Sequence, residues 1–215
     1  TRMTAMPVDI SLIKKTFEEI KANCKDEINK MYKTKCKKCN NESVILATIW
    51  NREKSEPTEL RYYCEKCKCR NAKKPSDDDL NLIRKIEKTE IPYWYPTQRL
   101  AYNGEGFMKK EKSESIPELF TNRNLIALSI LFNEIEKIKE SKIQDIFKFA
   151  FTSMVHLASK MTPVRPTRPM SSFWALQSYW VPPVNMESNV WHLFDSAVYG
   201  TQGIIEGKTD SNTQI

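Results

Sequence analysis

Cys36-Lys37-Lys38-Cys39 and Cys64-Glu65-Lys66-Cys67 bracket an interval of 24 residues. Each Cys-x-x-Cys pair offers two thiolates to one tetrahedral ion, and two such pairs fill a closed, four-thiolate structural site of the kind zinc occupies. Between them lie two strand-like runs, Ser43 to Trp50 and Thr58 to Tyr63, separated by the polar break Asn51-Arg52-Glu53-Lys54-Ser55-Glu56-Pro57. This pattern predicts a zinc ribbon, with a cysteine pair on each tight turn and the intervening strands paired as a hairpin. A disulfide framework would require an oxidising compartment, and nothing in the chain resembles a secretory signal peptide. Cys69 adds a further thiol two residues beyond Cys67, but the Cys64/Cys67 spacing repeats that of Cys36/Cys39, which makes Cys36, Cys39, Cys64 and Cys67 the expected ligands. Cys24 falls on the apolar face of a predicted helix and reads as a small core hydrophobe.

Charge is concentrated on the same segment. Residues 33–74 hold twelve Lys and Arg against five Glu, a surplus of +7 that equals the net charge of the whole chain. Clustered cations on a small module suit a polyanion, because each neutralised phosphate releases condensed counterions. A solvated lysine-rich surface is the competing explanation. At 215 residues with 40% hydrophobic content, the chain has enough apolar mass for a core. No apolar run approaches the roughly 20 residues of a membrane span, so no membrane partner is expected; the cysteine usage points to a reducing, cytoplasmic setting.

On either side of the ribbon the patterns are helical. Asp9 is a plausible N-cap, followed by Ile13, Phe17, Ile20, Cys24, Ile28 and Met31 at helical spacing. Ser76 and Asp79 form a capping-box pattern before Leu80, Leu82, Ile83 and Ile86. These two stripes are expected to pack together as an antiparallel stalk with the ribbon at its tip. Ile91-Pro92-Tyr93-Trp94-Tyr95-Pro96 reads as an extended aromatic segment, either packed on the core or free to stack on bases. Thr121 caps a helix to about Lys139, and Ser141 caps another to about Lys160. Thr162 to Pro169 is expected to be a mobile loop, Ser171 to Val181 strand-like, Asn189 to Ala197 a short helix, and the stretch from Gly200 onward a frayed tail. The expected architecture is therefore mostly α: a helical bundle with an inserted small β zinc ribbon. It divides into a stalk helix (1–32), the ribbon (33–74), a helical and aromatic-loop scaffold (75–199) and a flexible tail (200–215). The opening Thr1-Arg2-Met3 lacks an initiator methionine, and the chain is expected to be an excerpt of a longer protein.

Signatures of a complete enzyme are missing. The chain has neither a phosphate-binding glycine loop nor a His-Glu-x-x-His, and its two histidines, His156 and His192, read as structural.

The phrases Ile91-Pro92-Tyr93-Trp94-Tyr95-Pro96, Leu119-Phe120-Thr121-Asn122-Arg123-Asn124-Leu125-Ile126-Ala127-Leu128-Ser129 and Ser178-Tyr179-Trp180-Val181-Pro182-Pro183, together with the ribbon, resemble the region found in adenine-specific DNA methylases that contain a zinc ribbon. The likeness runs from residue 1 to about 195. That family binds S-adenosylmethionine through an Asp-Pro-Phe-x-Gly-x-Gly turn and holds the target base with an Asp/Asn-Pro-Pro-Tyr motif. Neither occurs here: Gly104-Glu105-Gly106 lacks the preceding aspartate, and Pro182-Pro183 sits between Val181 and Val184. By family order the chain lies between these two motifs, so the resemblance implies no catalytic residue. It implies a DNA-binding and target-recognition region, inactive by itself, that works on double-stranded DNA beside the remaining methyltransferase domain, with S-adenosylmethionine bound only in the full-length protein. On that reading Lys35, Lys37, Lys38, Lys66, Lys68, Arg70, Lys73 and Lys74 contact phosphates, and Arg165 and Arg168 reach a base or the minor groove. The alternative is a zinc-ribbon protein-interaction module.

Overall fold

The computed structural model describes residues 7–100, 113–164 and 181–213. Helix α1 (Ile10–Lys30) starts where expected, with the Asp9 carboxylate accepting the Ser11 N–H at 2.8 Å. Then come β1 (Lys33–Lys35), β2 (Glu42–Asn51), β3 (Glu56–Cys64) and β4 (Cys69–Lys73). Helix α2 (Asp77–Glu87) carries the capping box of Ser76 and Asp79. Helix α3 (Asn122–Glu136) is capped by Thr121, and α4 (Ser141–Val155) by Glu140, one residue earlier than the expected Ser141. The chain closes with β5 (Val184–Ser188), α5 (Val190–Tyr199) and α6 (Ile204–Thr213).

The expectation of a mostly α bundle with a small inserted ribbon is overturned. Helix accounts for 49% and strand for 20% of the described residues, and the described strands form one five-stranded antiparallel sheet, so the protein is a mixed α/β fold. Strand β2 is its axis. One edge of β2 pairs with β3, which in turn pairs with β4; the other edge is shared lengthwise by β1, over Glu42 to Val44, and by β5, over Ala47 to Asn51. The register slips between Ile45 and Ala47, a bulge at the point where the edge partner changes. Asn189 bridges this junction, its N–H bonding the Leu46 carbonyl and its side-chain amide the Ile45 carbonyl.

The bulge also decides which residues face the helices. Side chains alternate along a strand, and one extra residue reverses that alternation. Ile45 and, beyond the bulge, Thr48 therefore share the face covered by helices, while Ala47 and Ile49 pack with Met186 on the other. Ile45, Leu60 and Tyr32 join the main core of Ile13, Phe17, Leu131, Phe147 and Phe194. The sheet is thus built into the helical core and not mounted on a stalk. Helix α1 packs along α3, α5 and α6, and α2 lies against α3, so the expected α1/α2 pair is not formed. An apolar stripe shows that a helix buries one face but does not name the partner.

Across the covered face runs a buried ion pair. Arg123 and Glu187 are 2% and 1% exposed, low enough that either charge alone would be strongly disfavoured. Arg123 Nε and Nη2 donate to the two carboxylate oxygens at 2.8 and 2.7 Å, a bidentate fork. Thr121 Oγ1 donates to Oε1 and Trp50 Nε1 to Oε2, which satisfies both oxygens of the carboxylate. Arg123 Nη2 also bonds Thr48 Oγ1, and the guanidinium lies 4.8 Å above the Tyr32 ring. Burial alone would raise the Glu187 pKa; the Arg123 charge and the surrounding donors bring it below the usual carboxylate value. The pair's contribution is therefore present at neutral pH and is lost only as pH falls through that lowered value.

Residues 200–213 form no frayed tail. Gly200 and Gly203 make a close turn, in which an added Cβ at Gly200 would meet the Ser196 carbonyl oxygen at 2.4 Å and one at Gly203 the Val198 carbonyl oxygen at 2.7 Å. Ile204 and Ile205 then pack on the core, and Asn212 bonds the Val8 carbonyl. The expected loop at 165–169, the strand-like run 171–180 and residues 101–112 lie outside the described residues.

Replacing Glu187 by Gln strands the Arg123 charge and should cost about 3 to 5 kcal/mol in urea denaturation. Converting Arg123 and Glu187 together to Met should cost less than the two single changes added, because neither charge is then left unpaired. A strictly additive double mutant would show that the pair is not coupled.

Candidate metal centre

Each Cys-x-x-Cys pair occupies the tip of a hairpin. The first lies in the turn from β1 to β2, where Lys35 faces Glu42 and the Asn40 N–H bonds the Cys36 carbonyl at 2.9 Å. The second lies in the turn from β3 to β4, closed by the register pair Cys64 and Cys69. The two turns share a backbone device: the residue after the second cysteine is left-handed, Asn40 at φ 55° and Lys68 at φ 51°. Asparagine tolerates that conformation, whereas lysine carries a Cβ penalty there.

The β2–β3 ladder brings the two tips together. The sulfurs of Cys36, Cys39, Cys64 and Cys67 all lie within 4.8 Å of one another. Cys36 to Cys67 is 3.7 Å, Cys39 to Cys64 3.5 Å and Cys39 to Cys67 3.8 Å. With metal–sulfur bonds of ~2.3 Å, a tetrahedron has sulfur–sulfur edges of about 3.8 Å, whereas a disulfide would need about 2.05 Å. The arrangement fits a structural metal such as zinc, and the six cysteines are free thiols. Cys24 is the expected core thiol: it is 1% exposed, its Sγ meets the Ile20 carbonyl, and burial raises its pKa to about 12.

The surroundings favour the thiolate at Cys36 and Cys64, while the neighbouring Cys69 and other thiols push Cys67 up. Removal from water acts against ionisation of Cys36, but the backbone N–H groups of Cys39 and Lys38 and the neighbouring thiols outweigh it, bringing its pKa down to about 6. Ser43 lowers Cys64. Beneath the site Tyr62 is 1% exposed, and its hydroxyl accepts the Lys37 N–H at 2.9 Å, fixing the first turn. With all four positions taken by sulfur, no open coordination site remains for an activated water.

The charged residues expected to meet phosphate divide by environment. Lys35, Lys37, Lys38, Lys66, Lys68, Arg70 and Lys74 are exposed around the tips and along β4. Lys35 lies 3.7 Å from Asp78, and Lys68 is paired with Glu65 at 2.7 Å; both pairs are open to solvent and so weakly held. Lys73 is different. Its ammonium is 2.9 Å from Asp79, which is 4% exposed and also bonded by Thr34 and Ser76. Burial would raise the Asp79 pKa, but these donors lower it. Through Asp79, Lys73 ties β4 and Thr34 ties β1 to the start of α2, so Lys73, unlike its lysine neighbours, already holds a buried carboxylate partner. Arg165 and Arg168 lie outside the described residues.

Sequence reasoning missed a cleft of about 1280 Å³ between the β2–β3 turn and α2, with Thr121, Lys160 and Asn185 in its lining. Lys160 donates to the Glu118 carbonyl at 3.1 Å, and burial lowers its pKa. No local motif announces this cleft, because its walls come from five separate stretches of chain. Of the exposed aromatics, Trp94 is 67% exposed and rests against Phe132, with ring centroids 5.8 Å apart. Among the described residues no helix is long and apolar enough to cross a membrane.

No family model, curated protein or solved structure matches the chain.

Chelation should loosen the two cysteine turns and the strand ends that carry them while the part of β2 held by Arg123 and Glu187 stays in place, read as loss of amide-exchange protection around residues 35–43 and 62–70 with the helical far-UV signal retained; turns that keep their protection without metal would refute the four-ligand site. Lys68→Gly, which removes the left-handed Cβ penalty, should stabilise the metal-loaded protein by about 1 kcal/mol in thermal unfolding.

Proposed function

We propose that the bound ion is zinc and that the chain is the DNA-binding and target-recognition region of a DNA methyltransferase of the adenine-specific class its phrases resemble. The observation that carries this reading is the placement of exposed cations around a closed thiolate site. Lys37 and Lys38 sit in one turn and Lys66 and Lys68 in the other, so the metal fixes four ammonium groups at one end of a rigid sheet. Among the described residues Lys37, Lys38, Lys66, Arg70 and Lys74 make no ion pair with a carboxylate. Unpaired cations on a rigid support are suited to a phosphate backbone, since no local partner must be broken before binding.

In this reading the ion is structural and the chain's own residues do the gripping. Lys37, Lys38 and Lys66 position the duplex, and the four thiolates keep the two turns in register while they do so. S-adenosylmethionine and the base-modifying residues belong to the remaining methyltransferase domain, so this chain alone transfers no methyl group.

A second reading, docking on another protein, is favoured by the exposed Tyr93 and Trp94, the latter resting on Phe132 of α3. The two readings separate cleanly by mutation. Duplex binding should be salt-dependent, and changing Lys37, Lys38 and Lys66 together to Glu should weaken it and reduce the log–log salt slope by about 0.9 for each phosphate no longer neutralised. Trp94→Ala should leave it unchanged. Affinity that is absent at low salt, or indifferent to these three lysines, would rule out the phosphate grip.

A further inference from the structure

Cys69 is a fifth thiol at the metal centre. Its Sγ lies 3.9 Å from that of Cys36 and 3.1 Å from that of Cys67. The first distance already matches the edge of a four-thiolate tetrahedron, about 3.8 Å. The second is too short for two sulfurs of one such tetrahedron, so at these positions Cys67 and Cys69 exclude each other. Cys69 also faces Cys64 across the β3–β4 ladder, where directly opposed residues hold their Cβ atoms about 4.5 to 5.5 Å apart; the mutually close set of sulfurs is Cys36, Cys39, Cys64 and Cys67, so taking up the fourth position requires the Cys69 side chain to turn toward Cys39 and Cys64. The left-handed residue Lys68 is the only residue between the two competing thiols.

We propose that Cys67 and Cys69 are interchangeable occupants of the fourth metal position, with Cys36, Cys39 and Cys64 the fixed three. Exchange forms one metal–sulfur bond as another breaks: the incoming Cys69 thiol gives up its proton and the departing Cys67 thiolate takes one up, so charge at the ion is unchanged and no oxidant is needed. Loss of either alternate ligand is then compensated by the other. The β3–β4 turn gains a second bound state, in which the loop from Glu65 to Lys68 is released from the ion while the sheet below it stays clamped. This inference rests on the metal-centre reading.

The test uses the full chain and its single and paired Ser variants, with bound zinc measured per chain and cobalt(II) substitution used to count thiolates from the charge-transfer and ligand-field spectra. Wild type, Cys69→Ser and Cys67→Ser should each bind one ion with a four-thiolate cobalt spectrum, and chelator competition should place the Cys67→Ser affinity within about tenfold of wild type. The double variant Cys67→Ser/Cys69→Ser and the single variant Cys36→Ser should show a three-thiolate spectrum or lose the ion, with affinity about a hundredfold or more weaker. If Cys67→Ser behaves like the double variant, or fails to fold while Cys69→Ser folds normally, Cys69 is no substitute and the proposal is overturned. If wild type binds no ion at all, the metal-centre reading fails first, and the two failures are told apart.

Discussion

The Arg123–Glu187 pair is the constraint on which the architecture turns. Two charges at 2% and 1% exposure are tolerated only if every polar atom finds a partner, and those partners come from several places in the chain. Thr48 and Trp50 come from β2, Thr121 from the cap of α3, Tyr32 from the link between α1 and β1, and Glu187 itself from β5. Asn124, one residue on, extends the web: it accepts the Tyr32 hydroxyl at 2.6 Å and donates to the carbonyls of Ala158 and Ser188. Removing any one element leaves a buried donor or acceptor without its mate. The sheet and the helices therefore hold each other in a single arrangement.

This pair and the thiolate site act at different points along the sheet. The pair anchors Thr48 and Trp50, in the second half of β2, to the helices, while the cysteines join the turns at the opposite end of the β2–β3 hairpin. Between them the Leu46 bulge lets one strand serve both: before it β2 pairs with β1 and leads from the metal site, and beyond it β2 pairs with β5 and presents Thr48 and Trp50 to Arg123 and Glu187. Were β2 to run through Leu46 in regular alternation with no bulge, Ala47 and Ile49 would share the face of Ile45 and the charged pair would lose the bonds that Thr48 and Trp50 supply. A rigid connection from core to cysteine turns follows, and it gives the exposed lysines at those turns fixed positions.

Much of this was legible locally, because capping and metal binding are short-range. Asp9, Ser76 with Asp79, and Thr121 mark helix starts through bonds that span two or three residues, and the paired cysteines mark their own site. What failed was long-range. Strand β5 is short, and in isolation Glu187 reads as solvated charge; only the Arg123 guanidinium, supplied from α3, makes a buried strand position acceptable. The α1 stripe and, in α2, Ile83 and Ile86 are buried as the pattern predicts, but α2 lies against α3 where α1 had been expected. Lys73 looked like its lysine neighbours in the sequence, and what separates it from them is Asp79, brought close by the fold.

That difference bears on how a basic surface should be counted. The surplus of +7 over residues 33–74 is a sum over side chains with unequal duties. Lys73 is occupied in holding β4 to α2, with Thr34 contributing from β1, and its removal would disturb the orientation of the turn region before it altered any field at the surface. Lys35 and Lys68 have solvent-exposed carboxylate neighbours whose hold is weak and screened by salt. Lys37, Lys38 and Lys66 sit at the cysteine turns, where the backbone is fixed by bonds to Tyr62 and by the sulfur cluster, so their cost of ordering is confined to the side chains. The strength of any polyanion grip should therefore follow the integrity of the cysteine turns more closely than the total charge, because the same formal charge on an unfolded hairpin would lose its spacing.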